Sequence, residues 1–342
     1  MAVVALVSAV IGAAVVQVPY VALSPGSVRP VTEQILVEGA PSYPPGESIA
    51  YTTVSVGRTT LLEALAGWLD DEVDVLPEDI LRGDRSEDEN RRYNAQLMDT
   101  SKLAAVAVAL ELLGEEVEIR TTGAVVRQIA EGSPAASVLE LDDVIVAVDG
   151  QEVDAPDEIG QLLQVGGPGV EHALLLERPA GSAERVEVAV TTVPAEEDAE
   201  RAIIGIAPED RIVAFDFPID VTIDSGTVGG PSAGLAFTLA VLDVLTPGEL
   251  TGGRRVAVTG TMALDGTVGP VGGGAQKAIT VRDSGYEVFL VPPAEVEEVR
   301  EAVGDDLVVI EVGSLVEALE ALESLGGNAG PLLAANAADA SS

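Results

Sequence analysis

The stretch Gly226–Phe237, GTVGGPSAGLAF, decides how the C-terminal part of this chain folds. Its core, Gly230-Pro231-Ser232-Ala233-Gly234, has the spacing G-x-S-x-G, a strand-to-helix elbow that can hold a nucleophile. Gly226, Gly229 and Gly230 permit positive φ and a close backbone approach. Pro231 suits the first turn of a helix, where no N–H is needed. The run beyond the serine, AGLAFTLAVLDVL, is apolar nearly all round until Pro247-Gly248, so the expected helix is buried. Ser232 would then lie at the amino end of a central helix. There the dipole and the backbone of Gly230, Pro231 and Ser232 would stabilise an oxyanion. Helix N-capping by serine, a purely structural role, fits the same residues.

A serine hydroxyl is a weak nucleophile until a base takes its proton. The chain has one histidine, His172, which precedes the serine in a strand-like run, EHALLLE, and no cysteine. An esterase elbow served by a downstream histidine is therefore excluded, and a carboxylate or a neutral lysine remains. Of the 18 basic residues only Lys102 and Lys277 are lysine. Lys277 comes after the glycine-rich run VGPVGGGAQ and opens a helical stretch. Its pKa would have to fall by about three units, worth roughly 4 kcal/mol, for it to act near neutrality. Burial in an apolar, glycine-lined pocket shifts it in that direction.

The composition removes other chemistries. Among 342 residues, 47% are apolar and 22% charged, as in a folded protein with a sizeable core. The formal charge of −39 and the lack of Lys/Arg clusters argue against nucleic-acid partners. Without cysteine, and with one histidine, no disulfide, thiol chemistry or multi-histidine metal site is available. Gly272-Gly273-Gly274-Ala275-Gln276-Lys277 lacks the Gly-Lys-Ser/Thr ending of a phosphate loop, so no nucleotide or other cofactor is expected.

Residues 2–23 are apolar apart from Ser8 and Gln17 and are expected to form a membrane anchor; a cleaved signal peptide is the alternative. Residues 25–114 read as a mixed α/β segment, with a strand at Ser48–Val56, helices at Thr60–Asp70 and Glu89–Leu113, and no evident chemistry. Gly123–Val153, GAVVRQIAEGSPAAS…LELDDVIVAVDGQEV, resembles a PDZ domain of the kind attached to bacterial proteases. Such domains take an extended peptide as an added strand. Residues 194–200 read as a linker leading into alternating helices and strands.

GGPSAGLAF together with VTGTMALDGTVGPVGGGAQKAI resembles the proteolytic domain of Lon peptidases, over about residues 205–325. The resemblance implies a Ser232–Lys277 dyad, with Thr259 positioning the lysine. Many Lon proteins carry an acidic residue where this chain has Gly229. That departure, and the order anchor, PDZ, protease, resembles the membrane-anchored branch without an ATPase domain. The expectation is an α+β multidomain chain: transmembrane anchor 1–24, mixed α/β region 25–114, β-rich PDZ domain 115–197, α/β Lon-type domain 203–326 and disordered tail 327–342. The implied function is ATP-independent endopeptidase action on protein or peptide substrates, outside a bacterial cytoplasmic membrane. The family often forms six-membered rings. A non-catalytic, membrane-tethered peptide-binding scaffold is the alternative.

Overall fold

The computed structural model describes residues 2–43, 46, 48–83, 85–178, 185–195 and 197–339. The chain divides into two compact units, one of residues 118–216 and one of residues 1–117 with 217–342. The discontinuous unit is built on a six-stranded sheet. Its order is Val308–Glu311, Val288–Val291, Val256–Val258, Ile49–Thr60, Gln17–Pro30 and Asp74–Pro77. The first four strands are parallel, and the last two pair antiparallel at the far side.

Side-chain alternation along these strands explains why both faces are covered. Ile49, Tyr51, Val256, Val258, Val288 and Leu290 enter a core shared with the helices Gly234–Leu245 and Glu87–Leu112. Ala50, Ala257, Phe289 and Val291 enter a second core beneath the helices Gly274–Asp283 and Val296–Val303. Every residue of the Gly234–Leu245 helix but the last is buried, as its nearly all-apolar sequence requires. The Glu87–Leu112 helix starts at a capping box, with Ser86 and Glu89 each satisfying the other's backbone N–H.

Three expectations differ from the fold. The apolar run 2–23 is not one helix: the helix spans Ala2–Val15, and the chain then enters the Gln17–Pro30 strand, where Val21 and Leu23 are buried. Fourteen residues rise about 21 Å, against the roughly 30 Å of a bilayer core. No helix among the described residues is long and apolar enough to cross a membrane. Val15, Val16, Val18 and Pro19 favour extended backbone at the break. Residues 25–114 are not a separate region, because their strands complete the sheet with Val256–Val258. Part of the expected disordered tail is the helix Gly330–Asp339, held by buried Ala329 and Leu332; positions 340–342 lie outside the described residues.

The continuous unit is β-rich. Its strands run Ile206–Asp216, Glu118–Ile129, Val144–Val148, Glu171–Glu177 and Arg185–Thr191, with Gln151–Glu152 beside Val144–Val148. The helix Pro156–Leu163 lays Ile159 and Leu163 on a core with Val126, Ile145, Val148, Leu174 and Leu176. This unit reaches Asp216, and the discontinuous unit resumes at Phe217. In the segment read as a linker, Val193–Pro194 pairs with Ala202–Ile203, and position 196 lies outside the described residues. His172 is 2% exposed, with Nδ1 2.7 Å from Asp149 Oδ2, so its role is structural.

Asp243, on the central helix, is 1% exposed, and burial raises its pKa from 3.8 to about 6. Oδ1 accepts the Leu250 N–H at 2.8 Å. A raised carboxyl pKa contributes stability below pH 3.8 that is lost as pH rises through about 6. Asp243→Asn keeps the Leu250 bond without the charge. Above pH 6 it is expected to gain on the order of 2–3 kcal/mol in urea unfolding, with no advantage at pH 3.5.

Candidate functional site

The loop from the Asp220–Ile223 strand to the central helix is pinned from three sides. Asp224 Oδ1 accepts the Gly226 N–H at 2.9 Å, and Gly230, at φ +92°, donates its N–H to the Asn94 carbonyl at 2.8 Å. Ser101 Oγ donates to the Pro231 carbonyl at 3.1 Å. The Ser232 carbonyl accepts the Gly260 N–H at 2.9 Å and the Thr259 hydroxyl at 3.2 Å. Gly234 has no room for a side chain, since a Cβ there would lie 2.7 Å from the Met262 nitrogen.

Ser232 is half-buried just before the helix Gly234–Leu245. The expected oxyanion group needs correction: the Gly230 N–H is taken by Asn94, and Pro231 has none. Among the described residues, the N–H groups of Ser232 and Ala233 have no acceptor, so these two point to the helix-terminal anion position.

Lys277, on the first turn of the helix Gly274–Asp283, is 2% exposed. Its Nζ donates to Thr259 Oγ1 at 3.1 Å, and Thr259 is itself fully buried. Thr259 thus touches both the lysine amine and the Ser232 main chain. No hydrogen bond joins Ser232 Oγ to Lys277 Nζ among the described residues, but both residues line one cavity of about 680 Å³. Burial lowers the Lys277 pKa from 10.5 to about 8, opposed by the charges of Glu295 and Glu298. No local pattern marked these carboxylates in advance. Glu295 is buried, with Oε1 accepting the Val271 N–H at 2.9 Å.

The cavity also draws residues from the segment where sequence reading found no chemistry. Asn94 and Met98 of the long helix line it, as do Arg29 and Thr52–Val54. Of the Ile49–Thr60 strand, Val256–Val258 pairs with Ile49–Tyr51 alone, so past Tyr51 that strand has no neighbour on that side among the described strands. The available signal was Ser101, a polar residue opening the apolar run KLAAVAVAL. No group of three or more His, Cys, Asp or Glu that could hold a metal occurs among the described residues.

Against known proteins, residues 184–324 match the model of the Lon protease (S16) C-terminal proteolytic domain. Residues 125–178 match that of a PDZ domain. The chain therefore carries a Lon-type proteolytic domain joined to a PDZ domain. It is 32% identical over 120 residues to Lon protease 1 of Bacillus subtilis, covering 34% of this chain and 15% of that protein. It is 34% identical over 106 residues to the Lon protease of Chloroflexus aggregans, covering 30% and 13%. The chain thus spans a small part of these relatives' length. The PDZ domain of an SdrC-like protein from Listeria monocytogenes aligns over 27% of this chain and 92% of its own, at 17% identity and a TM-score of 0.24.

Proposed function

We propose that this chain is an ATP-independent serine endopeptidase in which Ser232 is the nucleophile and Lys277 the general base. The observation that carries the reading is Lys277 itself: a buried amine with a pKa near 8, bonded to Thr259 and lining the cavity of Ser232. Neutral Lys277 takes the Ser232 hydroxyl proton as Oγ bonds to the peptide carbonyl carbon. The N–H groups of Ser232 and Ala233 hold the oxyanion. As the C–N bond breaks, the ammonium returns the proton to the leaving amine. Water, deprotonated by Lys277, then hydrolyses the acyl ester and restores Ser232. The unpaired side of the strand beyond Tyr51 suits an extended peptide, which supports protein substrates. In this reading the PDZ domain recruits or gates substrate, and copies of the chain assemble around the protease domains.

The test is labelling of the full chain by a fluorophosphonate and cleavage of an unfolded protein without ATP, both lost in Ser232→Ala. Unchanged labelling and cleavage in that variant would overturn the reading.

We also propose a site of action at the outer face of the bacterial cytoplasmic membrane. The Ala2–Val15 helix contains no charge and packs by the helix Leu61–Gly67. Val3, Ile11, Val15, Leu65, Trp68 and Leu69 are all exposed there, an apolar surface with an aromatic edge. The full chain is expected to float with phosphatidylcholine vesicles. If it stays with the soluble fraction, the membrane proposal is lost and the hydrolase reading is untouched.

A further inference from the structure

The chain has 57 Asp and Glu against 18 Lys and Arg, yet no acidic residue among the described ones lines the cavity of Ser232. The charged side chains there are Lys277 and Arg29. Lys277 is bonded to Thr259, which leaves Arg29 as the fixed cation facing the space. Arg29 makes no ion pair among the described residues; its Nε donates only to Ser27 Oγ, at 3.3 Å. In the antiparallel register Arg29 lies directly opposite Tyr51, so their side chains share one face of the sheet. The Tyr51 ring is fixed edge-on to Phe237 with centroids 5.5 Å apart, and the residue is 1% exposed. Its hydroxyl makes no well-aligned hydrogen bond, although the Gln34 and Arg29 side chains lie near it. Asp224 also bears on this corner, but its carboxylate already accepts the Gly226 N–H.

The Tyr51 hydroxyl is buried beside the Gln34 and Arg29 side chains, whereas the Arg29 guanidinium, in a cleft whose described lining holds no acid, is a donor that lacks its charged acceptor. We infer that Arg29 forms a carboxylate-binding subsite in the cleft of Ser232, so that the protein selects peptides carrying an acid at one position from the scissile bond. The inference rests on the hydrolase reading for its meaning, but not for its test. A guanidinium donates to a carboxylate in the plane of its oxygens, and an amide of the same shape has no charge to meet Arg29. The surrounding acidic body repels acidic peptides at long range, so recognition would be confined to this cleft.

The test uses full-length Ser232→Ala, which binds without turnover. The probes are fluorescein-labelled decapeptides of Ala, Leu and Thr in which one residue, moved along the chain, is Glu or Gln. Free-acid and amidated C-termini separate a side-chain carboxylate from a terminal one. One Glu position, or the free terminus, is expected to bind about tenfold tighter than its uncharged counterpart at 50 mM salt. Arg29→Gln is expected to erase that difference, Arg29→Lys to keep part of it, and Arg29→Glu to reverse it towards a Lys-containing set. Equal binding of acid and amide peptides by the parent, or a difference that survives Arg29→Gln, overturns the inference. Absence of hydrolysis by the Ser232-containing protein overturns the hydrolase reading instead, and leaves the binding comparison to decide the subsite.

Discussion

Ser232→Ala is expected to remove hydrolysis by at least about 10³-fold in kcat, measured on an unfolded protein substrate with product amines quantified. The loss falls in kcat because the bond from Oγ to the carbonyl carbon exists only along the reaction. KM should move little, since most of the cleft lining, including Thr52–Val54, Asn94 and Met98, is left unchanged. The substitution removes one oxygen from a half-buried position whose main-chain bonds to Gly260 and Thr259 use the carbonyl. The fold should therefore be retained, and an unchanged unfolding midpoint would distinguish lost chemistry from lost structure. Residual cleavage at the parent rate would locate the nucleophile elsewhere.

Lys277→Met should have the second large effect, with opposite consequences for rate and stability. The thioether matches the lysine stem in length but cannot take a proton, so kcat should again fall on the order of 10³-fold. In the parent, the amine works only when neutral, so activity should rise about tenfold per pH unit up to about 8 and then level off. A lysine pKa depressed from 10.5 to about 8 means that the unfolded chain binds more protons between these values. Below pH 8 the group therefore destabilises the fold, by about 3 kcal/mol at ~1.4 kcal/mol per pH unit, and the penalty disappears as pH rises towards 10.5. Lys277→Met should accordingly unfold at higher urea than the parent at pH 7 and lose that advantage near pH 10.5. A variant that is both inactive and less stable at pH 7 would contradict the buried-amine account.

Much of this was legible from local pattern. The glycine-proline elbow, the nearly all-apolar helix and the isolated lysine after a glycine run each arise from properties of a few consecutive residues. The alternation of Ile49, Ala50 and Tyr51 between two cores could be expected only as a strand, because which face meets which helix depends on residues about 200 positions away. The same limit hid Asn94, Ser101, Arg29 and Glu295, whose relation to the site is set by packing alone. The N-terminal run misled for a different reason. Apolar composition suits a bilayer and a sheet interior equally, and the strand pairing of Val21–Leu23 with Val56–Arg58 and Asp74–Leu76 is not written in hydropathy. In the tail, Gly, Asn and Ala suggested disorder, but Ala329 and Leu332 had a waiting core to fill.

The pairing of Ile49–Tyr51 with Val256–Val258 bears on biogenesis. As the ribosome releases the chain, the first two long strands emerge with their neighbour still some two hundred codons from translation, whereas residues 118–216 have all their partners in hand. The continuous unit can mature first, while the nascent N-terminal hairpin, one edge bare, must be kept from aggregating until the remainder arrives. The cavity that Ser232 and Lys277 share is thereby completed only when nearly the whole polypeptide has been made.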